Sequence, residues 1–210
     1  KIFMIYPEPN NQIKLFGLDR YILDLVRLYN SNLYPNKILL SGPKGIGKST
    51  LAYHFINYVL SYNNKHRYDL KNFTINPDSP TFKTILNKSN PNFISIDINN
   101  DKKVIDINQI RDLIVNLNKS SFNDKPRFVL IDNTEFLNVN SINALLKVLE
   151  EPSDKVYFIL INNSKKILPT LISRCINYKI NLTNLECLKI ADQLFNGQLK
   201  LLINSDFIED

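Results

Sequence analysis

The run Gly42-Pro43-Lys44-Gly45-Ile46-Gly47-Lys48-Ser49 satisfies the phosphate-binding pattern G-x-x-x-x-G-K-[S/T] at every fixed position. Its glycines let the backbone curl until successive N–H groups point into one concavity, which holds an anion. Lys48 adds a compact positive charge for the outer phosphates, Ser49 a hydroxyl for Mg²⁺, and a helix starting near Lys48 turns its positive end to the same anion. Asp132, which closes the apolar run Phe128-Val129-Leu130-Ile131, is the acid expected to share Mg²⁺ with Ser49 from the end of a neighbouring strand. The next residue is Asn133. A carboxylate at that place would take the proton of an attacking water, and an amide does not. Glu135 lies two residues further on, and nothing in the sequence aims it at the site. The ligand expected carries a phosphate and brings Mg²⁺, and the missing carboxylate counts against hydrolysis.

These residues need a scaffold, and the hydrophobic pattern supplies one. Lys37-Ile38-Leu39-Leu40-Ser41 reads as a buried strand before the loop, and Thr50 to Ile56 as the helix after it. Upstream, Ile22, Leu25, Val26 and Tyr29 recur at helical spacing. Residues 61–92 lose all periodicity and gather Asn, Lys, Asp and Pro, an irregular insertion with at most one short helix. Asn92 to Asp97, Arg127 to Asp132 and Val156 to Ile161 read as further strands. Between them lie a helix with an Asp106/Gln109 capping box and one capped by Ser141 and ended by Glu150-Glu151-Pro152. Alternating strands and helices predict a parallel sheet flanked by helices, an α/β fold. From Ile176 a short extended piece leads to a helix over Asn184 to Leu202 broken at Gly197. Residues 1–178 are therefore expected to form the α/β domain and 179–210 the start of a helical lid.

The chain has 210 residues, 44% of them hydrophobic and 22% charged, which fits a globular domain with a real core. No apolar run approaches the ~18 residues of a membrane span, so no membrane partner and a cytoplasmic location are expected. The formal charge of +6 is spread along a Lys- and Asn-rich chain and supports a nucleic-acid partner only weakly. Cys175 and Cys187 have no histidine at ligand spacing and read as buried thiols; His54 and His66 read as packing or surface residues, and no zinc is expected.

A second set of motifs is more specific. Asn143-Ala144-Leu145-Leu146-Lys147-Val148-Leu149-Glu150-Glu151-Pro152, followed by Leu168-Pro169-Thr170-Leu171-Ile172-Ser173-Arg174-Cys175, closely resembles the clamp-loader family of AAA+ ATPases, as does Asp106 to Leu113. The resemblance covers about residues 17–180. With no cysteine cluster of the zinc type and with Asn133 at the second Walker B position, it is most similar to the delta-prime type of bacterial DNA polymerase III. The resemblance implies ATP or ADP as the nucleotide, with hydrolysis weak or absent, and a hetero-oligomer with other clamp-loader subunits, acting on a sliding clamp and primed DNA. It implies Arg174 as an arginine finger on a neighbour's nucleotide, an effect worth ~10³ to 10⁵ in rate in related chemistry. It also implies a polar sensor at Asn162, with Asn163 competing for that role. The rivals are a self-sufficient P-loop NTPase or nucleotide kinase, and a structural arm whose loop is a relic.

Overall fold

A computed structural model describes residues 8–98, 102–119, 123–151, 154–164 and 167–194. The elements run α1 (Asp19–Asn30), β1 (Lys37–Ser41), α2 (Lys48–Ser61), α3 (Pro80–Leu86), β2 (Phe93–Ile96), α4 (Ile107–Leu117) and β3 (Arg127–Ile131). After a 3-10 turn at Thr134–Phe136 come α5 (Val139–Glu150), β4 (Val156–Asn162), α6 (Pro169–Ile172), β5 (Ile176–Lys179) and α7 (Asn184–Leu194). The five strands form one parallel sheet in the order β2-β3-β4-β1-β5.

Strand side chains alternate between two cores because the side-chain period of a strand is two. Ile38, Leu40, Phe128, Leu130, Ile159 and Ile161 face α1, α2 and α3, where Ile22, Leu25, Leu51 and Phe55 close the first core. Leu39, Val129, Ile131, Phe158 and Leu160 face α4, α5 and α6, against Ile110, Leu113, Leu145, Leu149 and Leu171. Fully burying each such side chain stabilises the fold by about 1.5–3 kcal/mol, and both faces of the sheet are thereby committed.

The capping box of α4 is present, with Asp106 accepting from the Asn108 and Gln109 N–H groups and the Gln109 side chain returning to the Asp106 N–H. Three expectations change. The cap of α5 is Asn138, whose Oδ1 accepts from the Ser141 N–H at 2.9 Å; Ser141 lies inside the helix, where its hydroxyl donates to Ile105 O. A Ser in the first turn imitates a cap in sequence because both roles use the same short polar chain. The short extended piece expected at Ile176 is the strand β5, which pairs with β1 at the edge of the sheet. Cys187 is exposed on α7, whereas Cys175 is buried as expected. Finally, β4 lies between β1 and β3, so Asp132 ends the next strand but one from the loop. Pro152, Gly197 and the part of the expected helix beyond Leu194 lie outside the described residues.

Candidate functional site

The site opens where β1 ends. Gly42 has φ +147°, and a Cβ there would stand 2.3 Å from Ile180 O at the end of β5, so the loop passes this point only without a side chain. Gly47, at φ +89°, precedes α2 and offers no side-chain cap, which leaves the first N–H groups of a 14-residue helix to an anion. Lys48 is buried. Its ammonium donates to Gly42 O at 2.9 Å and Pro43 O at 2.6 Å, and burial lowers its pKa, partly opposed by the charges of Asp132 and Glu135. A cation so placed lies over the loop it serves.

The Ser49 hydroxyl donates to Asp132 Oδ2. Burial raises the Asp132 pKa, with the Asp97 carboxylate adding in the same direction, against hydrogen bonds from Ser49, the Asn133 N–H and the Asn163 amide. Asn133 adopts φ 54°, a left-handed conformation that Asn tolerates better than a carboxylic acid with a longer chain. Both ends of its side-chain amide are engaged, the nitrogen donating to Asp97 Oδ1 at 2.7 Å and the oxygen accepting from Asn163 Nδ2 at 2.9 Å. Glu135 accepts from the Asn163 N–H at 3.1 Å and is near enough to act on Lys48.

The inserted strand β4 explains this grouping. Asn162 pairs in register with Ser41, the last residue before the loop, so the residues following β4 fall between the loop and Asp132. Asn162 itself is buried and its Oδ1 accepts from the Ser164 N–H, while Asn163 is the residue whose amide joins Asp132 and Asn133. Sequence spacing left these two open, because adjacent residues at a strand end differ only in the face they take.

Beside the loop, a cavity of about 480 Å³ lies between Lys44, Gly45, Ile46, Gly47 and Thr50 on one side and Leu15, Leu18, Ile190 and Leu194 on the other. Most of its wall is apolar, which suits a nucleobase next to a phosphate cradle. The Leu15, Leu18, Ile190 and Ala191 contributions were not foreseen; only Gly17-Leu18 and the α7 periodicity hinted at them. Gly17 packs so closely on α7 that a Cβ would meet Ile190 at 2.3 Å.

The residues fit a nucleotide: the cavity, the uncapped helix end, Lys48 and the glycine passage converge. Among the described residues no group of three or more His, Cys, Asp or Glu is gathered for a metal. The adjacent Ser49 hydroxyl and Asp132 carboxylate suit Mg²⁺ arriving with phosphates, since that ion keeps waters and takes few protein oxygens.

Arg174 is elsewhere. α5 runs back from the end of β3 to Glu150, and the Lys37 ammonium at the start of β1 donates to Leu149 O at 2.9 Å, which fixes that helix end at the opposite edge of the sheet from the loop. Arg174 lies at this edge, two residues before β5, with Nε at 3.1 Å and Nη2 at 2.6 Å from Glu150 Oε1. At ~3.3 Å per residue, strands of this length separate the two edges by ~15 Å or more, so Arg174 does not serve its own chain's loop.

A parallel sheet with a strand inserted between the phosphate-loop strand and the acid-bearing strand, followed by a helical segment over the cavity, defines an AAA+ P-loop domain. A family model described as DNA polymerase III, delta subunit, matches residues 18–184, and the chain belongs to this clamp-loader subunit family. It is 31% identical over 139 residues to DNA polymerase III subunit delta-prime of Pseudomonas aeruginosa, a match covering 66% of this chain and 40% of that protein. It is 32% identical over 171 residues to the delta-prime subunit of Buchnera aphidicola subsp. Baizongia pistaciae, covering 72% of this chain and 48% of that protein. The fold is similar to that of a DNA polymerase III gamma-subunit-related protein of Thermotoga maritima, with a TM-score of 0.51 at 20% identity over 84% of this chain and 48% of that one. The chain thus spans less than half the length of these relatives. Among the described residues no helix is long and apolar enough to cross a membrane.

Proposed function

We propose that the chain is a clamp-loader subunit that holds ATP or ADP with Mg²⁺ at Gly42 to Ser49 with little turnover of its own, and that lends Arg174 to a neighbouring subunit's nucleotide. On this reading Lys48 exchanges the Gly42 and Pro43 carbonyls for phosphate oxygens. Ser49 and Asp132 hold Mg²⁺, which when bound neutralises phosphate charge. Pro43, Lys44, Ile46 and Thr50 shape the loop and cavity, and Asn162 with Asn163 places a polar group between loop and acid. The complex, with its other subunits, would act on the sliding clamp and primed DNA.

The observation that carries the reading is the division of the chemistry between two edges of the sheet. The loop edge has a cradle and an acid, but its Asn133 amide is engaged by Asp97 and Asn163 and accepts no proton from water. The far edge has a part-exposed guanidinium, with 32% of its side-chain surface accessible, at the other end of the strands from the phosphate cradle. The test compares nucleotide titration with turnover in the isolated chain. Saturable binding of ATP with negligible hydrolysis supports the reading. Rapid hydrolysis by the isolated chain, or no binding at all, contradicts it.

A further inference from the structure

The far end of α2 carries a second cleft that the nucleotide site does not use. A cavity of about 500 Å³ is lined by Tyr58, Tyr62, Arg67, Tyr68, Asp69 and Lys71, among others. Tyr58 and Tyr62 stand one helical turn apart, with ring centroids 6.4 Å apart edge to face, and Tyr58 meets Tyr68 in the same way at 6.1 Å. Tyr68 is anchored from behind, its hydroxyl 2.9 Å from His54 Nδ1 and its N–H donating to Ser61 Oγ at 3.0 Å. Tyr62 is 59% exposed, so much of its ring is open to solvent. The wall is rigid as well as aromatic, because Asp69 and Thr74 exchange two backbone hydrogen bonds of 2.9 and 3.0 Å.

The electrostatics favour an anion. Lys65, Arg67 and Lys71 stand against one acid, Asp69, in the segment 65–71. Among the described residues none of these three cations is in an ion pair. Asp69 is committed locally, accepting from the Lys71 and Asn72 N–H groups and from the Asn72 side-chain amide.

We propose that this cleft binds single-stranded nucleic acid, with an unpaired base stacked on Tyr62 and the flanking phosphates met by Arg67 and Lys71. An open aromatic face beside unpaired cations is what a stacked base with phosphates uses. A polyacidic peptide would use the cations, but its carboxylate side chains have no flat face to stack on the ring. A duplex has no free base face to offer. The cleft lies at the other end of the 14-residue α2 from the phosphate loop, ~20 Å away at ~1.5 Å per residue, so its occupant is distinct from the nucleotide.

The test is fluorescence anisotropy with a labelled oligothymidylate of about eight nucleotides, repeated across a salt series. Two phosphate contacts give a slope of log affinity against log salt of about −1.4, at about −0.7 per contact on a single strand. Tyr62→Ala should weaken binding about fivefold or more at unchanged slope, and Arg67→Ala should weaken it and flatten the slope by about 0.7. Both variants should keep wild-type affinity for ATP, which separates this proposal from the nucleotide reading. Absence of oligonucleotide binding, or binding that ignores Tyr62→Ala, overturns it. A polyglutamate peptide that binds as tightly and is lost in the same variants also overturns it, in favour of an acidic protein partner.

Discussion

The Ser49 hydroxyl donates to the Asp132 carboxylate, joining the first turn of α2 to the end of β3 across the intervening strand β4. These two oxygens lie 83 residues apart in sequence, one in the first turn of a helix and one just past a strand, and the fold sets them side by side. Asp132→Asn keeps an acceptor for Ser49 and removes the charge. It should lower affinity for ATP with Mg²⁺ about tenfold, about 1.4 kcal/mol, while leaving affinity for ATP in chelator unchanged or higher. Titration of a fluorescent nucleotide with and without metal measures both.

The glycines of the loop are not equivalent. At Gly42 an added Cβ would collide with backbone, Ile180 O at 2.3 Å, whereas at Gly45 nothing lies within 4 Å and only the φ of +85° resists substitution. Gly42→Ala should therefore cost more stability than Gly45→Ala, which should cost about 1 kcal/mol from its positive φ. Denaturant unfolding of the two variants tests the order, and Gly42→Ala should in addition lose nucleotide binding.

His54 gives a pH signature. Buried against Tyr68 and the Gln12 carbonyl, it has its pKa lowered to about 4, chiefly by burial. Its ordinary value is about 6.5, so between these pH values the unfolded chain binds a proton that the folded chain refuses. Stability from this group is complete above about pH 6.5, falls as the pH drops towards 4, and then levels off, a loss of order 3 kcal/mol. His54→Gln should abolish that part of the slope in a comparison of unfolding at pH 7 and pH 4.5.

Arg174 should matter little to folding. Its pair with Glu150 is part-exposed on both sides, 32% and 54%, and such pairs contribute about 0–1 kcal/mol. Arg174→Ala should shift unfolding by less than about 1 kcal/mol, so any large functional loss in that variant belongs to recognition and not to stability.

Much of this was legible in the sequence because the signals were local. Gly42 to Ser49 and the Asp106/Gln109 box are short-range geometries, and the apolar runs of β1, β3 and β4 announce strands buried on both faces. What sequence did not convey is long-range. That β4 enters between β1 and β3 is a matter of sheet order, and it alone brings Asn163 to Asn133 and Asp132. The meeting of Gly17 with Ile190 likewise depends on where α7 packs. The aromatic cleft of Tyr58, Tyr62 and Tyr68 escaped because the insertion that completes it has no periodicity to read.

On the proposed function, this chain acts catalytically through Arg174 on another subunit and not through its own loop. The most direct measurement is the ATPase rate of a loader assembled from purified ATPase subunits and this protein, wild-type against Arg174→Ala, with assembly verified by sedimentation. The variant should assemble normally while turnover at the adjoining site falls at least about 10²-fold, as for the loss of a positioned transition-state cation. Turnover unchanged in a fully assembled complex would contradict it.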